Sequence, residues 1–215
     1  MYKAVIFDLD GTLLDSLDDI VVILNRTLEK FGIEHVTREE AMTYIGNGAR
    51  ELVRLAIGVQ NFGRLDEILS CYKAAYALSD NSYAKLYGGE ESALYTLNKK
   101  GVKLAVLTNK PHAAAIRAKE IFFEKFGFDA VLGQTDGIAL KPSPEAVYKI
   151  LEELNVKKEE CLFVGDGETD VMTAKNAGID CISVLWGYRT KDQLKAAGAT
   201  RFVENFDELM NEVLK

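Results

Sequence analysis

The sequence predicts an α/β protein: a three-layer, Rossmann-like core built on a parallel sheet, with an inserted α-helical cap. Three observations lead there. Short, branched apolar runs alternate with stretches of helical period. The alternation is interrupted between about residues 15 and 84, where helical period continues without a convincing strand. Polar and acidic motifs recur at the ends of the apolar runs, where an open α/β sheet carries its chemistry.

The runs Lys3 to Phe7, Lys103 to Leu107, Ala130 to Leu132, Leu162 to Val164 and Cys181 to Val184 have the length and branching of buried strands. Between them, Glu90 to Lys100, Ala113 to Lys125, Pro144 to Leu154 and Thr169 to Ala177 read as helices. Gly101, Gly127 and Gly178 follow three of these, as helix stop signals do. In the interrupting block, Leu17, Ile20, Val21, Leu24, Leu28 and Phe31 form one helical stripe ended by Gly32. Thr37-Arg38-Glu39-Glu40 has the spacing of a capping box, and Glu51 to Ile57 and Leu65 to Leu78 supply two more helices. The expected organisation is therefore a core of residues 1–14 and 85–215 and a cap of residues 15–84.

Composition narrows the function classes. The 215 residues are 48% apolar and 27% charged, an ordinary globular balance, with a formal net charge of −7. An acidic chain without a Lys/Arg block argues against a nucleic-acid partner. No apolar run approaches the ~18–20 residues of a membrane-spanning helix, and Asp8 comes too early for a secretory signal. Cys71, Cys161 and Cys181 show no metal spacing and read as reduced thiols of a cytoplasmic protein, monomeric or homodimeric.

Four motifs carry the chemistry. Asp8-Leu9-Asp10-Gly11-Thr12 follows the first strand, and carboxylates two residues apart at a strand tip need a cation or a shared proton between them. Thr108-Asn109-Lys110 ends another run, where a hydroxyl and backbone amides suit a phosphoryl oxygen. Lys141 stands beside Pro142 and near Pro144, which stiffen the backbone that aims it. Asp166-Gly167-Glu168-Thr169-Asp170 offers oxygen-only ligands suited to a hard cation such as Mg²⁺. Singly, these also read as an Asp-Gly turn, a helix cap, a solvated lysine and an acidic helix start. Their shared placement at strand ends makes the set specific.

In the order and placement of these motifs the chain resembles the haloacid dehalogenase superfamily, over essentially its whole length. The resemblance implies Asp8 as nucleophile and Asp10 as general acid/base. It implies Thr108 and Lys141 on the transferring phosphoryl group, Asn109 in substrate binding, and Mg²⁺ held by Asp8, the Asp10 carbonyl and Asp166. Asp170 would act through water or on Lys141. Gly167 stands where many relatives carry Ser. Asp10 favours phosphate chemistry over dehalogenation, and Ile20 replaces the cap histidine of the sugar-phosphate mutases in the superfamily.

Tyr44 to Val53, Thr108 to Pro111, Trp186-Gly187-Tyr188-Arg189 and Ala197-Gly198-Ala199 resemble the phosphoglycolate phosphatase branch. That resemblance implies a small phosphorylated metabolite as substrate, 2-phosphoglycolate first. Asn47, Gly48 and Arg50 would then meet the leaving group, although Gly46-Asn47-Gly48 also reads as a plain helix-helix turn. A pyrophosphatase, a sugar-phosphate phosphatase or mutase, and a non-catalytic binding protein are the alternatives.

Overall fold

All four side chains of Ala4–Phe7 are buried, so both faces of this strand must be covered. The computed structural model describes residues 1–215 and shows how. The first half of the chain contains β1 (Ala4–Phe7), β2 (Leu14–Asp15), α1 (Leu17–Lys30), α2 (Arg38–Tyr44), α3 (Gly48–Ile57), α4 (Leu65–Ala77), β3 (Lys85–Leu86), α5 (Glu90–Lys99) and β4 (Lys103–Pro111). The second half adds α6 (His112–Phe122), β5 (Phe128–Gln134), α7 (Glu145–Leu154), β6 (Cys161–Gly165), α8 (Glu168–Ala177), β7 (Asp180–Val184), α9 (Lys191–Ala196), β8 (Phe202–Val203) and α10 (Phe206–Val213). Short 3-10 turns lie at Val59–Arg64 and Lys158–Glu160.

Six strands form one sheet in the order β5-β4-β1-β6-β7-β8, every neighbouring pair parallel. Alternation along β1 explains the three layers. Val5 and Phe7 face a core completed by Leu94 and Leu97 of α5, Ala115 and Ala118 of α6, and Leu209 and Val213 of α10. Ala4 and Ile6 face a second core with Val147, Ile150 and Leu154 of α7 and Ala174 of α8. Each fully buried Leu, Val, Ile or Phe contributes about 1.5–3 kcal/mol relative to exposure, so Val5, Ile6 and Phe7 anchor the central strand from both faces. No helix is long and apolar enough to cross a membrane.

Helices α1, α3 and α4 share a third apolar cluster containing Leu24, Leu28, Val53, Ile68 and Tyr72. The Thr37 capping box is present, with Thr37 Oγ1 accepting from the Glu40 amide. The segments entering and leaving this helical layer pair as an antiparallel ribbon, Leu14 opposite Leu86 and Asp15 opposite Lys85. Two-residue strands carry no readable period, which is why neither β2 and β3 nor the edge strand β8 stands out in the sequence. Strand β4 also runs on through Thr108-Asn109-Lys110 to Pro111, with an irregular register against β5 between Leu107 and Pro111.

The returning linker is fastened to the first motif. Tyr87 packs against Trp186 with ring centroids 6.2 Å apart, and Trp186 Nε1 donates to the Thr12 carbonyl at 3.0 Å. Glu90 Oε2 accepts from the Tyr87 amide at 3.1 Å, while Oε1 has no partner. Glu90 is fully buried, and burial pushes its carboxyl up to about 9. An acid raised from 4.5 to about 9 on folding stabilises the native state least at high pH, because only the unfolded chain sheds its proton across that window. Glu90→Gln is therefore expected to gain stability over the native chain as pH rises from 6 to 8, by roughly 1 kcal/mol per pH unit. Urea unfolding at both pH values measures this; an equal difference at the two would show that Glu90 is ionised in the fold.

Candidate active site

Register brings the motifs together. Phe7 lies level with Val106 of β4 and Val164 of β6, so Asp8, Thr108 and Asp166 emerge side by side at the carboxyl ends of three adjacent strands. The chain reverses its direction of travel across the sheet between β1 and β6, the place where open α/β sheets leave a crevice. Helices α1, α3 and α4 close over it.

Lys141, from the loop before α7, is buried and reaches into the centre of the group. Its ammonium lies 2.8 Å from Asp8 Oδ1 and 2.6 Å from Asp170 Oδ1. Burial alone would lower its pKa, yet Asp170 and Asp8 together hold it above the ordinary lysine value. The Leu9 amide also donates to Asp8 Oδ1, at 2.7 Å, leaving Asp8 Oδ2 without a protein donor. Asp10 repeats the pattern. Its Oδ1 accepts from Lys110 Nζ at 2.6 Å and Ser16 Oγ at 2.5 Å, and its Oδ2 is likewise free.

The carboxylates of Asp8, Asp166 and Asp170 offer oxygens within 4.8 Å of one another. Asp166 accepts from Thr12 Oγ1 at 3.1 Å and from the Tyr188 amide at 2.7 Å, and Asp170 Oδ2 from the Gly167 amide at 2.8 Å. Burial pushes Asp8 up to about 8, with Lys141 opposing and Asp170 and Asp166 adding to the rise. Burial and Asp170 push Asp166 up to about 7. Three carboxylates with one ammonium among them attract further positive charge, and an all-oxygen set fits a hard divalent cation.

Thr108 and Asn109 are both buried at the strand tip. Thr108 Oγ1 accepts from the Lys110 amide at 3.2 Å, which leaves its hydroxyl proton available. Asn109 differs from expectation: its amide group is committed to protein. It donates to the Gly46 carbonyl at 2.8 Å and the Lys141 carbonyl at 3.1 Å, and accepts from the Lys141 amide at 2.8 Å. Its side chain thus sets the course of the Lys141 backbone and docks the 46–48 loop.

Asn47 and Gly48 line the cavity at the start of α3. Gly48 has φ +84°, and a Cβ there would stand 3.0 Å from Leu140, so the helix start meets the core closely. Arg50 is a correction. It lies outside the cavity, its side chain 57% exposed and paired with Asp66 at 2.6 Å. Arg50 lies two residues beyond Gly48, about half a helical turn, which carries it to the outer face of α3. Gly167 has φ −114°, so its backbone does not require glycine.

Several residues of the site had no role assigned in the sequence reading, although most stand in motifs quoted there. Lys110 is one, although its place two residues after Thr108 in the same strand is a signal. Arg189 is another: it pairs with Glu168 at 2.9 Å and donates to the carbonyls of Met42 at 3.0 Å and Ile45 at 2.6 Å. Tyr188 accepts from the Ser16 amide at 2.9 Å, and Tyr76 of α4 touches Lys110.

With this geometry in place, likeness to known proteins is informative. Residues 5–184 match the haloacid dehalogenase-like hydrolase family. The chain belongs to that family. It is 32% identical over 215 residues to phosphoglycolate phosphatase 1 of Pseudomonas aeruginosa, covering 97% of this chain and 78% of that protein. With the phosphoglycolate phosphatase of Aquifex aeolicus it shares 34% identity over 186 residues, 86% of either chain. A crystal structure from Lactobacillus delbrueckii subsp. bulgaricus superposes with TM-score 0.88 at 32% identity, covering 99% of this chain and 98% of that one. This member of the hydrolase family is a phosphatase.

Two predictions test the geometry. A Cβ on Gly187 would fall 2.3 Å from the Cβ of Asp166. Gly187→Ala is therefore expected to destabilise the fold by about 1–3 kcal/mol; denaturant unfolding with no change would show that the 186–189 segment yields freely. Cation binding must displace the protons that Asp8 and Asp166 hold at about 8 and about 7. Mg²⁺ affinity is expected to rise from pH 6 to pH 8, with proton release at pH 7. Calorimetry in two buffers of different ionisation enthalpy reads that release, and identical heats would contradict it.

Proposed function

We propose that this phosphatase hydrolyses small phosphate monoesters, 2-phosphoglycolate first among them, with Mg²⁺ as cofactor and an aspartyl phosphate formed on Asp8. The observation that carries the reading is the paired arrangement of Asp8 and Asp10. In each, one carboxylate oxygen is pinned by a buried lysine and the other is free at the cavity. A fixed carboxylate with one free oxygen is an oriented nucleophile or proton carrier.

In this mechanism Asp8 Oδ2 attacks phosphorus while Asp10 Oδ2 protonates the departing alkoxide. Asp10 then takes a proton from water as the water opens the acyl phosphate. Thr108 donates its hydroxyl to a phosphoryl oxygen. Lys141 offsets charge on the phosphoryl group and keeps Asp8 aligned. Mg²⁺, held by Asp8, Asp166 and the Asp10 carbonyl with Asp170 in support, would supply the remaining positive charge that phosphoryl transfer needs.

Residues 15–84 act in this reading as a cap over a catalytic core of residues 1–14 and 85–215. Closure excludes bulk water and limits substrate size. The cavity is small, about 70 Å³. That suits a phosphoryl group with a two-carbon alcohol better than a hexose or nucleoside. Ile20 lines the wall and has no group that can give or take a proton, so mutase chemistry finds no second acid or base there. The relatives named phosphoglycolate phosphatase support the choice of substrate.

The test is phosphate release from 2-phosphoglycolate, pyrophosphate, hexose phosphates and nucleoside monophosphates, with Mg²⁺ and with chelator. Release should require Mg²⁺, favour the smallest ester, and fall by at least about 10³-fold in Asp8→Asn. Equal turnover by the native protein and Asp8→Asn would rule out the aspartyl phosphate. A preference for hexose phosphates would rule out the substrate.

A further inference from the structure

The fate of Arg50 leaves a question about the leaving group: which cation of the cavity meets it. Three cations line the space, Lys110, Lys141 and Arg189. Lys141 sits among the carboxylates of the proposed phosphoryl site. Arg189 binds Glu168 and two backbone carbonyls through all three of its nitrogens. Lys110 remains. Its side chain is 1% exposed, and its ammonium has two protein acceptors, Asp10 Oδ1 and the Tyr76 hydroxyl. An ammonium has three donors, so one N–H is unused. That N–H can donate to a ligand oxygen, and such a bond is strongest when the oxygen belongs to a carboxylate.

We infer that Lys110, backed by Tyr76, forms the subsite for an anionic leaving group. The substrate class would then be small phosphate monoesters whose alcohol carries a carboxylate. The inference rests on the proposed phosphatase reading of the same cavity and assigns its selectivity to one residue. Position supports it. The alcohol oxygen must approach Asp10 Oδ2 to receive its proton, and Lys110 lies 2.6 Å from the other oxygen of that carboxylate. A carboxylate one carbon away from the alcohol oxygen therefore falls beside the Lys110 ammonium. Asn47, which precedes α3, and Gly48 and Ala49, its first residues, line the same cavity, and amides of a first helical turn add attraction for an anion. Because Tyr76 belongs to α4 and Lys110 to β4, the subsite is complete only when helical layer and sheet meet. Anion recognition and closure thus share one contact.

The test compares 2-phosphoglycolate with the phosphate ester of glycolamide, which has the same size without the charge. The native protein should favour the acid by about 10- to 100-fold in kcat/KM. In Lys110→Met that preference should shrink to about threefold or less, chiefly through a higher KM for the acid. Should both esters lose the same factor in Lys110→Met, Lys110 acts only by holding Asp10 and the subsite is refuted. Equal turnover of acid and amide by the native protein refutes it too, with the phosphatase reading intact. Inactivity of the native protein on every phosphate ester would instead overturn the proposed function itself. If Lys110→Met does not fold, inhibition of the native protein decides. Glycolate should compete at least about 10-fold better than glycolamide, and equal inhibition overturns the inference.

Discussion

The site depends on one buried ammonium. Asp8, Asp166 and Asp170 approach within 4.8 Å of one another at the edge of an apolar core, where like charges repel strongly and water is scarce. Lys141 touches two of the three and makes the cluster tenable. Its place is in turn fixed by Asn109, which holds the Lys141 backbone from both sides, through amide and carbonyl. Removing one member of such a buried set strands the others, so the residues around Lys141 stand or fall as a unit.

The strands and the four motifs were legible because their signals are local. A run of branched apolar residues ending in Asp or Thr declares both a buried strand and what sits at its tip. The roles of Asn109, Lys110 and Arg50 were not legible, because each depends on a partner distant in the chain. Asn109 looks like a ligand-facing amide until Gly46 and Lys141 occupy it. Lys110 looks like a solvated strand end until Asp10 and Tyr76 enclose it. Arg50 shares a decapeptide with the cavity-lining Asn47 and Gly48, but helical geometry turns it outward to Asp66. The ribbon of β2 and β3 was hidden by its two-residue length.

Part of the seam between helical layer and sheet is built from backbone. Asn109 and Arg189 address the carbonyls of Met42, Ile45 and Gly46, which any sequence in that loop would present. Contacts of this kind fix the loop's path while leaving its side chains free to vary. The same 186–189 segment gives Asp166 the Tyr188 amide and gives Ser16 the Tyr188 hydroxyl. One short stretch after β7 therefore touches the carboxylate cluster, the entrance to the helical layer and its loop.

The central position of β1 has a consequence for how the molecule comes into being. The strand that leads into Asp8 is made well before its two neighbours, which begin at Lys103 and Cys161. Pairing at such separations carries a large loop-closure entropy and tends to be slow. The helical segment between them has mostly local contacts and can gain structure while β1 is still waiting. During synthesis β1 thus keeps one edge unpaired for about three quarters of these 215 residues, and the carboxylate cluster can assemble only once β6 docks. Asp8 therefore stands apart from Asp166 and Asp170 until most of the sheet has been made.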